Sequence, residues 1–187
     1  AAGFSTLQEL RDALADFKKS GKWIVAYGDT YTQGCYYVAS VANHIFLNPQ
    51  GQVDWHGLSS QPYYIKDLAA KFGVKYQVAK VGTFKSATEM FTETKMSDAN
   101  RLQVSTYLNG LWGNVCKAVS ESRKISIPAL NTYADEYQLF ADAQSLVKKH
   151  FVDKLLYADQ VKGEVKRLLG IDADESINQV GVTAMCN

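Results

Sequence analysis

Lys22-Trp23-Ile24-Val25-Ala26-Tyr27-Gly28-Asp29 runs directly into Thr30-Tyr31-Thr32-Gln33-Gly34-Cys35-Tyr36-Tyr37-Val38-Ala39-Ser40, and this passage decides the fold class. Residues 22–27 are short, apolar and rich in β-formers, which predicts a buried strand, and Gly28-Asp29 end it. Gly34 to Ala42 reads as a short helix. A strand end feeding a helix start is the unit from which α/β domains are built, and it is where such folds expose reactive groups and free amides.

Upstream, Leu7, Leu10, Leu14 and Phe17 recur at steps of three, four and three, the spacing of one helix face. Ser5 and Gln8 have capping-box spacing, and Ser20-Gly21 stop the helix. Downstream, the pattern predicts a strand over His44 to Leu47, a turn at Asn48-Pro49 and an extended piece over Val53 to Leu58. A helix from Pro62 to Phe72, closed by Gly73, precedes a half-buried strand over Val74 to Val81. Ser86 and Glu89 have S-x-x-E spacing and open a short helix. Ser97 caps the longest helix, whose Val104, Leu108, Leu111, Val115 and Val119 share one face. From Pro128 onward only helices are expected, the clearest carrying Val161, Val165, Leu168 and Leu169, with an edge strand at Ile177 to Val182. The resulting organisation is one domain over residues 1–170 and a tail over 171–187, with parallel strands joined by crossover helices.

The composition narrows the function. With 20 Lys+Arg against 19 Asp+Glu, the net charge of +1 excludes the dense positive surface that nucleic acid or anionic lipid demands. A content of 47% hydrophobic residues across 187 positions supports a sizeable core and excludes intrinsic disorder. No apolar stretch reaches the roughly 18 residues of a spanning helix. Cys35, Cys116 and Cys186 are scattered, and His44, His56 and His150 add no ligand spacing, so no metal site and no cofactor is expected and the thiols are read as buried. Ala1-Ala2-Gly3 runs almost at once into a helix with no initiator Met, from which a piece of a larger protein is expected.

Three places could carry chemistry. Lys85 lies between an expected strand end and a capped helix, in Val81-Gly82-Thr83-Phe84-Lys85-Ser86. A lysine after a turn is ordinarily a solvated surface residue. To serve as a general base it must lose its proton, a fall of about three pH units from ~10.4, or roughly 4 kcal/mol. Burial among Val81, Phe84 and Ala87 and the positive end of a helix at Ser86 would act in that direction. Glu89, one turn on, either pairs with Lys85 and holds it charged or bends back onto the Ser86 amide. The second place is the turn from Gly28 to Tyr37. There Cys35 is either a thiolate nucleophile near a helix start or a packed thiol, with no histidine close in sequence. The third, Asp54-Trp55-His56-Gly57, brings a carboxylate and an imidazole together without a nucleophile.

These same residues carry a resemblance. Gly34-Cys35-Tyr36-Tyr37-Val38-Ala39-Ser40, Pro49-Gln50-Gly51-Gln52-Val53-Asp54-Trp55-His56-Gly57 and Val81-Gly82-Thr83-Phe84-Lys85-Ser86-Ala87 resemble, in order and spacing, three signatures of the signal peptide peptidase A (protease IV) family. The match is specific from Gly21 to about Trp112 and continues more weakly to Leu169. It implies a crotonase/Clp-protease-type fold, an α/β spiral of ββα units with a helical carboxy-terminal part. It also implies a Ser/Lys dyad, in which a serine attacks the peptide carbonyl and a lysine takes and returns the proton. By motif, Lys85 is that general base, and Gly34, Gly82, Thr83 and Ser86 fall along the substrate groove.

Gln33 occupies the position of the serine, and Cys35 that of the second glycine. An amide cannot attack a carbonyl usefully. This departure resembles the amino-terminal half of the long, tandem form, in which the first repeat supplies the lysine and the second the serine. The implied parent is a membrane-anchored peptidase on the periplasmic face of the bacterial inner membrane that degrades cleaved signal peptides, assembled as a homotetramer. A soluble fragment without activity of its own is then expected. Two other readings are a catalytically dead interaction half and a crotonase-type acyl-CoA enzyme, although the segment around Gly34 lacks the glycine pair the latter requires.

Overall fold

A computed structural model describes residues 3–79 and 81–185. The element order is α1 (Phe4–Lys19), β1 (Val25–Tyr31), α2 (Gln33–Ala39), β2 (His44–Val53), α3 (Lys66–Lys71), α4 (Glu89–Thr92), α5 (Asp98–Arg123), α6 (Ile127–Asp135), α7 (Ala143–Lys148), β3 (Lys154–Leu155), α8 (Ala158–Leu169) and α9 (Val182–Met185). The strands form one parallel sheet in the order β1-β2-β3. The α/β class and the parallel pairing expected from the sequence are therefore present.

The decisive passage folds as a strand and a helix with only Thr32 between them. Gly28-Asp29 do not end the strand as expected, because Thr30 and Tyr31 go on to pair with β2, and only Tyr31 of β1 is buried. The helix spans Gln33–Ala39 instead of Gly34 to Ala42. Thr32 caps α2, its hydroxyl accepting from the Cys35 amide at 3.3 Å. β2 runs from the expected strand at His44 to Leu47 on through Asn48-Pro49 to Val53, whereas residues 54–58 of the extended piece expected over Val53 to Leu58 belong to no strand. Val25 to Gly28 pair with His44 to Leu47, and Thr30 and Tyr31 pair with Gln52 and Val53, so residues 48–51 bulge out opposite Asp29. The Asn48-Pro49 turn survives inside this bulge, where the Asn48 side chain accepts from the Gln50 amide. Gly51 closes it at a place where a Cβ would lie 2.6 Å from the Asp29 carbonyl oxygen and 2.8 Å from that of Asn48. Only glycine fits so close an approach.

The core lies between the sheet, α2, α5, α6 and α7. Trp55, Tyr36, Ile45, Leu47, Val53, Val119, Leu130, Leu146, Phe151 and Val152 are buried there. Its aromatic residues keep their polar atoms satisfied, because Trp55 Nε1 donates to the Leu130 carbonyl at 2.9 Å and the Tyr36 hydroxyl donates to that of Phe151 at 2.8 Å. Burial pushes the Tyr31 and Tyr36 hydroxyls well above the usual phenol range, which fixes both as packing residues and hydrogen-bond donors. Arg11 ties three helices together. From α1 its guanidinium donates to the Tyr37 carbonyl and the Ser40 hydroxyl at the end of α2, and to the Ala118 carbonyl and Ser122 hydroxyl on α5.

Several expectations are corrected. α1 begins after Gly3 with no side-chain cap, so the Ser5–Gln8 box is not formed. The helix expected from Pro62 is confined to Lys66–Lys71, since the Ile65 amide donates to the Met90 carbonyl at 2.9 Å and so leaves the helical ladder. Residues 74–79 form no strand; although apolar side chains alternate there, no other segment among the described residues offers a ladder, and Phe72, Val74, Tyr76 and Val78 all remain exposed. β3, absent from the sequence reading, is two residues long and too short for any periodicity to announce it. The edge strand expected at 177–182 is likewise not formed: residues 177–181 have no regular structure and α9 starts at Val182. Cys186 lies outside the described residues.

Candidate functional site

Gly82, Thr83, Lys85 and Ser86 come together on one irregular loop. Gly82 adopts φ +100°, a conformation that favours glycine, and this turns the chain ahead of Lys85. Ala79, Val81, Phe84, Lys85, Ser86, Ala87 and Thr88 line a surface hollow of about 500 Å³. The Thr88 hydroxyl is buried without a hydrogen-bond partner. Lys85 itself is exposed, as are Val81 and Phe84, at 90% and 58%. The apolar burial anticipated around the amine is therefore not supplied by these neighbours within this chain, and the lysine does not follow a strand.

Glu89 is arranged differently from either sequence expectation. α4 starts at Glu89 with Thr88 as its N-cap and no side-chain cap, so the Ser86–Glu89 box is not formed. Its buried carboxylate instead accepts from the Ser97 hydroxyl, from the Ser97 amide at 3.3 Å and from Asn100 Nδ2 at 2.9 Å. Ser97 is also the N-cap of α5, as its sequence context indicates, accepting from the Asn100 amide at 3.2 Å.

Gln33 and Gly34 open α2. The Gln33 side chain is buried and binds the 56–57 loop: Nε2 donates to the Gly57 carbonyl at 2.9 Å, while Oε1 accepts from the amides of His56 and Gly57 at 3.0 and 2.9 Å. At the position where the family resemblance places a nucleophile, this chain has a loop clamp. The hollow around Lys85 is lined by neither Gln33 nor Gly34.

Cys35 is exposed, against expectation, and lines an apolar groove of about 350 Å³ with Leu7, Leu10, Leu14, Ile24 and Val38. Cys116 is buried, and burial pushes its thiol up to about 11, leaving it protonated and inert at neutral pH. His56 Nδ1 lies 2.6 Å from Asp54 Oδ1, a local pair near a hollow that includes Trp112, Asn109, Asn131 and Asp135. Among the described residues no group of three metal-ligating side chains converges, and no helix is long and apolar enough to cross a membrane.

The geometry thus presents a lysine beside a hollow and a strand-to-helix turn whose first helical residue cannot act as a nucleophile. Residues 16–172 match peptidase family S49, and the chain belongs to that family. It is 42% identical over 142 residues to "Protease 4" of Salmonella typhi, covering 76% of this chain and 22% of that protein. It is 38% identical over 136 residues to "Protease 4" of Haemophilus influenzae, covering 73% and 22%. To the "Serine protease SPPA, chloroplastic" of Arabidopsis thaliana it is 25% identical over 180 residues, covering 96% and 26%. The chain spans about a fifth to a quarter of the length of these curated relatives.

Proposed function

We propose that this chain is the base-supplying half of a Ser/Lys serine peptidase that degrades cleaved signal peptides. Residues 1–170 form the amino-terminal repeat of a crotonase/Clp-type spiral, and Lys85 is the general base. The serine comes from a second repeat of the same parent. Membership of a peptidase family supports hydrolysis over acyl-CoA chemistry, and the relatives named as proteases support it further. The observation that carries the division of labour is Gln33. Its carboxamide is engaged on three sides by backbone groups of the 56–57 loop, and it offers no nucleophilic atom.

In the mechanism, Lys85 Nζ accepts the proton of the incoming serine hydroxyl as that oxygen attacks the scissile carbonyl, then returns it to the leaving amine. Lys85 must be neutral for the first step, so a partner repeat must complete its burial; the exposed Val81 and Phe84 provide apolar surface for such closure. The parent acts on apolar peptides at the periplasmic face of the inner membrane as a homotetramer, and the isolated chain is inactive. The exposure of Lys85 in this chain favours, as a second reading, an interaction half without catalysis.

Replacing Lys85 by alanine in the full-length protein separates the two. The dyad requires peptidase turnover to fall by about 10²–10⁴-fold, the usual share of a general base. Undiminished cleavage of an apolar signal-type peptide would leave only the interaction role.

A further inference from the structure

We infer that Glu89 is a positioning residue for Lys85, holding the lysine loop to the amino-terminal end of the longest helix. This rests on the assignment of Lys85 as general base. Residues 82–87 have little to fix them from within: none is fully buried, Gly82 has a positive φ, and the helix that follows is a single turn with no side-chain cap. A base on such a loop would wander, whereas proton transfer demands that it stay within hydrogen-bond reach of the serine.

Glu89 supplies the missing constraint. It is 3% exposed, and its carboxylate takes both the hydroxyl and the amide of Ser97 and the side-chain amide of Asn100. A carboxylate brought from outside to the amino-terminal end of a helix, as Glu89 of α4 is to α5, is favoured by the helix dipole and by the free N–H groups there. The helix in question, α5, runs 26 residues, and Val115, Cys116 and Val119 towards its far end are buried in the core. Backbone hydrogen bonds complete the connection back to the lysine: the Glu89 amide donates to the Ser86 carbonyl at 3.0 Å, and the Phe91 amide to that of Thr88 at 3.0 Å. The chain of contacts is therefore core, α5, Ser97 and Asn100, Glu89, Ser86, Lys85.

The test uses the full-length protein and an apolar chromogenic peptide, with kcat expressed per active site titrated by a serine-directed phosphonate. Glu89→Ala is expected to lower kcat about tenfold to hundredfold, as misplacement of a reacting group by an ångström does, with KM within about twofold of wild type. Glu89→Gln keeps an acceptor for Ser97 and is expected to recover most of that loss. Asn100→Ala, which removes the bond from Asn100 Nδ2, is expected to lower kcat in the same direction and by less. A wild-type kcat in Glu89→Ala, with Lys85→Ala inactive, would overturn the inference while leaving the dyad intact. Full activity in both variants would overturn the dyad, and the inference with it. If Glu89→Ala does not fold, Asn100→Ala decides: reduced kcat at constant KM supports the role, and unchanged kcat refutes it.

Discussion

Gln33 and Gly57 hold each other through a reciprocal pair of hydrogen bonds, Nε2 to the Gly57 carbonyl at 2.9 Å and the Gly57 amide to Oε1 at 2.9 Å. The two residues are 24 positions apart, and the pair fixes the start of α2 against the loop that follows β2. Gly57 takes φ +81° to complete it. Gln33, which the resemblance sets at a nucleophile's position, serves in this chain as a structural fastener.

Because that fastener is buried, its removal leaves donors and an acceptor unpaired. Gln33→Ala is expected to cost about 2–3 kcal/mol of stability, the usual penalty for stranding buried polar groups. Urea unfolding monitored by the fluorescence of Trp55 and its neighbours measures it directly. A loss below about 0.5 kcal/mol, the scatter of ordinary surface changes, would mean that the loop does not depend on Gln33.

Glu164 gives a pH prediction. On α8 it lies 2.7 Å from Arg167 and 2.9 Å from Lys154 of β3, and hydrogen bonds from Arg167 first and Lys154 second hold its carboxyl down at about 2. In the unfolded chain the group titrates near 4.3. The folded value is the lower one, so its stabilisation is complete above about pH 5 and is lost as the pH falls towards 2. Wild type and Glu164→Gln should therefore differ at neutral pH and converge in acid. A stability difference that stays constant from pH 7 to pH 2 would refute the assignment.

The thiols should separate cleanly. Cys35 is exposed and Cys116 buried, with its thiol raised to about 11. Brief treatment of the native protein with a maleimide at pH 7.5 is expected to modify Cys35 and spare Cys116, with peptide mass spectrometry reporting each site. Unfolding in urea should expose Cys116. Equal labelling of the two in the native state would contradict the packing of α5 against the core.

Local signals announced what local physics controls. The strand expected over Lys22 to Tyr27, the short helix after it and the Ser97 cap of α5 are each written in a few adjacent residues, and all three are present, the strand shifted to Val25–Tyr31. The segments around Gln33 and Lys85 are legible as motifs. Long-range pairing is not. On spacing alone the Glu89 carboxylate has Lys85 or the Ser86 amide as its partner, and only the approach of α5 brings Ser97 to it instead. The buried guanidinium of Arg11 resembles any helical surface arginine until α2 and α5 close over it. β3 exists because Phe46 and Leu47 have a free edge there, not because Lys154 and Leu155 have strong strand preference.

The segment from Phe72 to Val78 has a practical side. Its alternate apolar residues are exposed, although the Tyr76 ring lies 4.7 Å from that of Phe91, and among the described residues no backbone hydrogen bond joins 75–79 to another element. An unpaired, β-prone stretch of this kind is a template for a neighbouring molecule's main chain. Concentrated on its own, the chain therefore carries a nucleus for precipitation, with the like charges of Lys71 and Lys75 set against it. Handling it at low concentration, or co-expressing it with whatever sequence shields that stretch, is a matter of colloidal chemistry before it is one of enzymology.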